Sequence, residues 1–319
     1  MKRILIFGGS GQDGRILSQK LIELGHVVLC VVTRLDPAKQ VAGAEYVSIS
    51  RNFDDKFLSV ILEFQPTEVY NFASLSSGAA CAENPNHSYE VNFELVQSIY
   101  KAASIYATTV NHKVKLIHAG SSEMFKTSTL PLNELSELEP LSIYGQHKKM
   151  AHDFLESKKD RISNLGISNL IFFNHESFLR SDKFVSQKIA KASAQLYLYK
   201  FTEIKFGNVD TARDWGCAFD YMDAAIKVGL VNSSENYVVA SAKLVSIVQL
   251  LNHSLNYIGW SSDSFEFESD KSLMRVSDTP PLKGDPGKMK LQTGWAPSRS
   301  IFQALEEMIE YQIKFTRDA

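Results

Sequence analysis

The strongest constraint on how this chain can fold is an alternation repeated along its first half. Short β-branched runs at 3–7 (RILIF), 27–32 (VVLCVV), 67–72 (TEVYNF) and 114–118 (VKLIH) read as strands. Between them, 12–24, 54–64 and 88–107 carry apolar residues at helical spacing. Strands apolar along their whole length, each followed by an amphipathic helix, predict an α/β fold: a doubly wound (Rossmann) parallel sheet buried on both faces. A further helix is expected from Tyr144 to about Lys159, then a strand at 169–173. Beyond it the pattern loosens. Residues 174–216 read as polar and loop-like around a helix at 184–199. Residues 261–298 hold most of the prolines and are expected to wrap the surface, before a last amphipathic helix from about Ser300 to Phe315. With neither internal repeat nor linker, the chain reads as one compact body. Its larger part takes in 1–172 and roughly 215–250; a smaller, interleaved C-terminal part takes in 173–214 and 251–319.

The bulk numbers narrow the possible partners. A length of 319 residues gives room for a large core, and 44% hydrophobic with 22% charged residues is ordinary for a globular protein. The formal net charge of -2 offers no electrostatic attraction to nucleic acid or an acidic membrane surface. No apolar run reaches the ~18 residues a bilayer span needs. A strand starting at Arg3 or Ile4 leaves no room for a secretion signal, so a cytoplasmic location is expected. Cys30, Cys81 and Cys217 lack CxxC spacing, which points to a reducing compartment with neither a disulfide framework nor a thiolate metal site.

The first strand ends in "GGSGQDG". Gly8, Gly11 and Gly14 form GxxGxxG between a strand and the mouth of a helix. Gly8 permits the tight turn, Gly11 lets a pyrophosphate approach the backbone, and Gly14 lets helix and sheet pack closely. Free N–H groups at the helix N-terminus then face the phosphate. A site for NAD offers Asp or Glu roughly 20 residues past the glycines, at the end of the second strand, to bond the ribose 2′-hydroxyl. Here "VVTRLD" places Thr33 and Arg34 there, and a cation suits the 2′-phosphate of NADP.

Two further stretches carry chemistry. The strand at 114–118 leads into "HAGSSEMF", presenting Ser121, Ser122 and Glu123 at its C-terminal end, the edge where doubly wound sheets bind ligands. One helix downstream, "YGQHK" puts Tyr144 and Lys148 on one helical face. An ammonium beside a phenol favours the phenolate and equips the tyrosine as a base.

Together, the glycine motif, Ser121 and the Tyr144–Lys148 pair resemble the extended short-chain dehydrogenase/reductase family. Within it, the chain resembles the GDP-mannose 4,6-dehydratases. The resemblance rests on "GQDG" at 11–14, "PTEVYNFAS" at 66–74, "SSEMF" at 121–125, "FFNHES" at 172–177, "FVSQKIAK" at 184–191 and "RDWGCAFDYMDA" at 213–224. It implies a lyase of nucleotide-sugar metabolism with tightly held NADP, converting GDP-mannose or a close GDP-sugar to the 4-keto-6-deoxy sugar. Tyr144 takes the C4 hydroxyl proton, Ser121 orients that hydroxyl, and Lys148 holds the ribose and lowers the tyrosine pKa. Glu123 removes the C5 proton as water leaves C6, work that simple reductases do not need. The resemblance also implies cofactor contacts from Gln12, Asp13 and Ala73. It implies substrate contacts from Ser122, Asn174, Arg180, Lys188 and Arg213. His175 and Glu176 read as structural polar residues with no further metal ligands near them in sequence. The two long helices, 88–107 and 144–159, imply a homodimer.

The chain departs from the family pattern in four places. The loop after the second strand, "TRLDPAKQVAGAEYVS", is short, which favours a dimer over a tetramer. An acidic residue expected at 48–51 is replaced by "SISR", and the Arg-Pro-rich stretch before "GDPGKMKLQTGWAP" is missing from "MRVSDTPPLKGDP". Arg180 lacks its arginine partner, because Leu179 stands there. These changes touch the substrate grip and leave the catalytic set whole. The alternatives are a reductase or epimerase of a 4-keto nucleotide sugar, or a non-catalytic sensor on the same fold.

Overall fold

The computed structural model describes residues 1–49, 53–200, 205–261 and 281–317. The chain opens with β1 (Arg3–Phe7), α1 (Gln12–Glu23), β2 (Val27–Val32), β3 (Glu45–Ser48), α2 (Phe53–Phe64) and β4 (Glu68–Asn71). Two short helices follow, α3 (Gly78–Glu83) and α4 (Pro85–Tyr89), then a π-helical turn over Glu90–Glu94 and α5 (Leu95–Thr109). Next come β5 (Val114–Ser121), α6 (Ile143–Glu156), β6 (Leu165–Phe172), β7 (Asn174–Glu176) and α7 (Val185–Tyr199). The remainder is β8 (Ala212–Cys217), α8 (Ala218–Leu230), β9 (Tyr237–Val239), β10 (Leu244–Ser246) and α9 (Ile247–Tyr257). The helices α10 (Gly287–Thr293) and α11 (Ile301–Arg317) complete it.

Among the described residues, seven strands form one sheet in the order β3-β2-β1-β4-β5-β6-β9, every pair parallel. The apolar run of β1 explains why helices cover both faces. Ile4 and Ile6 pack with Ile16, Leu17 and Leu21 of α1 and with α8, while Leu5 and Phe7 point the other way, toward α2 and α5. The order reverses between β1 and β4, and that splay opens a crevice at the C-terminal edge. A second sheet, β10-β8-β7, pairs β8 antiparallel to β10 and parallel to β7. Ile189 and Leu196 of α7, Leu250 and Leu255 of α9, and Leu305 and Met308 of α11 pack with Trp215 of β8 as its core. The expected doubly wound α/β fold with a smaller C-terminal sheet is therefore the fold observed.

Several boundaries differ from the sequence reading. The strand expected at 114–118 continues to Ser121 because Ala119, Gly120 and Ser121 keep pairing with Leu170, Ile171 and Phe172. That pairing also extends β6 back to Leu165, four residues earlier than its apolar core suggests. The single helix expected over 88–107 is interrupted by the π turn. The polar stretch 174–216 contains β7 and β8. Its charged residues hide them, since β7 is three residues long and the buried Asp214 of β8 is used as a hydrogen-bond acceptor by Ser241 and Gly284. Of the segment expected to wrap the surface, 262–280 lie outside the described residues. The rest returns to the centre: Met289 and Trp295 are buried in the same core as β1 and α1.

Candidate active site

A cleft of about 890 Å³ lies at the C-terminal edge of the large sheet, walled by Gly8 to Gly14, the end of β5, α6 and segments of the smaller part. Gly8 adopts φ +86°, and a Cβ there would fall 2.6 Å from the Ala73 backbone nitrogen, so the turn accepts only glycine. Gly11 begins α1 without any side-chain cap, and the first turn of the helix faces the cleft. Uncapped amides at a helix N-terminus suit an anion.

The extended β5 delivers Ser121 to the cleft, and Ser122 and Glu123 follow in a short 3₁₀ turn, both serines being buried. The Glu123 N–H donates to Ser121 Oγ at 3.2 Å. Ser142 caps α6 by accepting from the Gly145 N–H at 2.9 Å, and its hydroxyl donates to Glu123 Oε2 at 2.6 Å. One side chain therefore fixes both the start of α6 and the carboxylate. Gly145 is needed for this approach, because a Cβ there would sit 2.2 Å from the Glu123 carbonyl oxygen. Gly145→Ala is expected to cost about 1–3 kcal/mol of stability by overpacking. It also displaces Glu123 from Tyr144, lowering kcat by about 10²-fold. Denaturant titration and initial rates check both.

Tyr144 and Lys148 emerge from the buried face of α6. The Lys148 ammonium donates to the Ala119 carbonyl at 2.8 Å and lies 5.8 Å from the Tyr144 ring centre. Burial pushes its pKa down to about 8, against the pull of the Asp13 carboxylate. Burial also raises the Tyr144 phenol, the Glu123 charge adds to the rise, and hydrogen bonding with Ser121 and Ser74 opposes it. Ser74 is itself held from behind. Its hydroxyl donates to Asn92 Oδ1 at 2.7 Å, and Asn92 Nδ2 donates to Ser88 Oγ at 3.2 Å. Asn92 sits, buried, on the π turn. A serine, a carboxylate, a tyrosine and a lysine thus line the same cleft as an uncapped glycine turn.

The family model for GDP-mannose 4,6 dehydratase matches residues 5–308 of the chain. The chain belongs to that family. As a GDP-mannose 4,6-dehydratase family enzyme, it is 29% identical to GDP-mannose 4,6 dehydratase 1 of Arabidopsis thaliana, covering 99% of this chain and 91% of the relative. It is 26% identical to the GDP-mannose 4,6-dehydratase of Yersinia enterocolitica, with 97% and 93% covered. Its fold matches UDP-glucose 4-epimerase of Thermotoga maritima at a TM-score of 0.87 and 20% identity, covering 98% and 99%. RMD of Pseudomonas aeruginosa, solved with NADPH, matches at 0.78 and 17%, covering 99% and 100%.

The remaining residues singled out in this family member fall into three groups. Asn174, Arg180, Lys188 and Arg213 line the same cleft, beyond the tetrad. Arg180 is ion-paired to Glu176 at 3.2 Å and lies 3.5 Å over the Phe184 ring, while Leu179 packs against the large core. Gln12 and Asp13 line the cleft, but their polar atoms are directed at His175 and Ser177. Ala73 lies under Gly8, and Arg34 is exposed beyond β2. Ser50 and Arg51 of "SISR", and the "MRVSDTP" of the shortened stretch, lie outside the described residues. The sequence reading gave no role to Ser74, Ser142, Lys183, Lys205 or Trp215, all at the cleft. Ser74 and Trp215 fell within the motifs at 66–74 and 213–224, and Ser142 carried a local signal as a cap residue before an apolar helical pattern. Among the described residues, no helix is long and apolar enough to cross a membrane.

Proposed function

We propose that this chain is a nucleotide-sugar 4,6-dehydratase acting on GDP-mannose or a close GDP-linked sugar, with NADP as its resident cofactor. The observation that carries the reading is Glu123: a carboxylate held by Ser142 beside Ser121 and Tyr144, where oxidation at C4 alone has no use for one. The residues fit a dinucleotide. The uncapped first turn of α1 suits its diphosphate, Lys148 a ribose hydroxyl, Ala73 lies against the turn, and Arg34 suits a 2′-phosphate. Bound NADP supplies an acceptor that takes hydrogen with its electron pair from C4 and returns it to C6.

The protein's own groups do the proton chemistry. Ser121 orients the C4 hydroxyl, and Tyr144 as phenolate accepts its proton. Lys148 supports the phenolate by charge and by holding the ribose. The resulting C4 ketone acidifies C5–H. Glu123 accepts the C5 proton and passes it to the departing C6 hydroxyl, which leaves as water. Once C6 has been reduced, C5 regains a proton, and the proton that Tyr144 took from the C4 hydroxyl balances it, so the net loss is one water. Asn174, Lys188 and Arg213, with Arg180 and Ser122, are assigned to the sugar and diphosphate, since cationic side chains bond several phosphate oxygens at once. The nucleotide sugar then lies against the smaller part of the chain and the dinucleotide against the large sheet.

Incubation with GDP-mannose is expected to give a product lighter by one water, with no net change at the absorbance of reduced nicotinamide. Stoichiometric consumption of NADPH on a 4-keto sugar identifies a reductase instead, and failure to dehydrate any GDP-sugar in a panel removes the reading. We further assign homodimer pairing to α5 and α6, where Ile105 and Met150 are exposed apolar side chains. Light scattering at the dimer mass supports this, and a stable tetramer overturns it.

A further inference from the structure

The glycine turn and the segment after β6 are separated by 162 to 165 residues, yet four hydrogen bonds join them. Gln12 Nε2 donates to the His175 carbonyl at 3.2 Å, and Ser177 Oγ donates to Gln12 Oε1 at 2.9 Å. His175 Nε2 meets both oxygens of Asp13 at 3.1 Å, while its Nδ1 is fixed on the Phe173 carbonyl at 2.8 Å. Rings of Phe172 and Tyr221 flank the imidazole at 5.1 and 4.9 Å, so it has no room to swing away. With His175 protonated the contact is an ion pair. Burial lowers the His175 pKa, but the Asp13 charge, its hydrogen bond and the bond to the Phe173 carbonyl together outweigh it, and the net shift is upward. Burial likewise raises Asp13, and the His175 charge and hydrogen bond, with the Gln12 hydrogen bond and the Arg180 charge, together outweigh that.

The position of the pair matters more than its strength. Asp13 lies in the first turn of α1, beside the proposed diphosphate site, and its charge also reaches Lys148. His175 follows Asn174, on the wall assigned to the nucleotide sugar. A 4,6-dehydratase stores its reducing equivalents on the cofactor between two steps, and release in that interval aborts the cycle. We propose that the Asp13–His175 ion pair is a positioning pair that couples the two halves of the cleft, so that occupancy of the nucleotide-sugar side slows dinucleotide release. The coupling rests on the proposed function, and it gives the Gln-Asp between the glycines a role apart from direct contact with cofactor.

The test is release of labelled NADP⁺ chased by excess unlabelled NADP⁺, with and without saturating GDP. In the unaltered protein GDP is expected to slow release about tenfold, within the usual range of coupling between sites. In Asp13→Asn, and independently in His175→Gln, release quickens about tenfold and the GDP effect falls below about twofold. A pH series gives a second readout. The charged and titratable groups facing His175 are Asp13 from α1, Arg180 from the segment before α7, and Tyr221 from α8. Burial holds the Tyr221 phenol well above its ordinary value, so it stays neutral across the series. Because the His175 pKa is raised, the pair is complete near pH 6 and is lost as pH climbs through the folded value. Release should therefore accelerate with pH in the unaltered protein already below the Lys148 transition at about 8, and that first rise should be absent from Asp13→Asn. Unchanged release and an unchanged GDP effect in both variants overturn the coupling alone. If neither variant folds, as judged by thermal melting, release from the unaltered protein that ignores pH overturns it. A chain that binds neither NADP⁺ nor NAD⁺ overturns the coupling and the cofactor assignment together.

Discussion

Glu123→Gln is expected to lower formation of the 4-keto-6-deoxy sugar by about 10²–10⁴-fold, the usual contribution of a positioned base. The substitution keeps the shape and leaves an oxygen that can accept the Ser142 hydroxyl, so the α6 cap and the fold survive. Oxidation at C4 relies on Ser121, Tyr144 and Lys148 and continues. Elimination does not, and reduced nicotinamide accumulates to one equivalent per active site on mixing with GDP-mannose. Single-turnover absorbance with product mass analysis checks this. Unchanged dehydration removes Glu123 from the mechanism, whereas loss of the absorbance change as well assigns it to substrate placement.

Lys148→Met is the second large effect, with kcat/KM falling about 10³-fold, within the span of acid–base contributions. In the unaltered protein both members of the pair resist charge: burial raises the Tyr144 phenol and brings Lys148 down to about 8. The ammonium is therefore present below that pH and lost above it, so support for the phenolate declines as pH rises through about 8. The alkaline limb of kcat/KM in the unaltered enzyme is expected to bend there, and the Met variant should lack that bend. A bend that persists in Lys148→Met belongs to another group. The same depression has a stability consequence of opposite direction. Between about 8 and the ordinary lysine value the unfolded chain binds more protons, so this group's contribution to stability increases with pH.

How much of this was legible before the structure follows from where the information lies along the chain. β1, α1 and β2 were readable because their periodicity is local and nothing tertiary competes with it. The four residues proposed as catalytic lay in two short motifs whose spacing is itself the signal. The carboxy-terminal extension of β5 was hidden because Ala-Gly-Ser has no strand preference and is held extended by pairing with β6. The strands β7 and β8 escaped notice because short segments with polar side chains do not alternate. The latch between Gln12, Asp13, His175 and Ser177 could not be read at all as a contact. Each motif is visible, but only the fold brings together residues more than 160 positions apart. Ser142 shows the same limit at shorter range: it reads as a helix cap, and its hold on Glu123 appears only when β5 and α6 meet.

The return of the chain's end to the first core has a consequence for synthesis. Trp295 donates its indole N–H to the Asp220 carbonyl at 2.9 Å and packs edge-on to Tyr221, in one core with β1 and α1, far earlier in the sequence. Synthesis must therefore pass Trp295 before the core around β1 and α1 can close its last gap. Until then that half exposes apolar surface and depends on long-range contacts that form slowly. A truncation that removes the end of the chain from Gly287 onward should thus cripple the beginning of it.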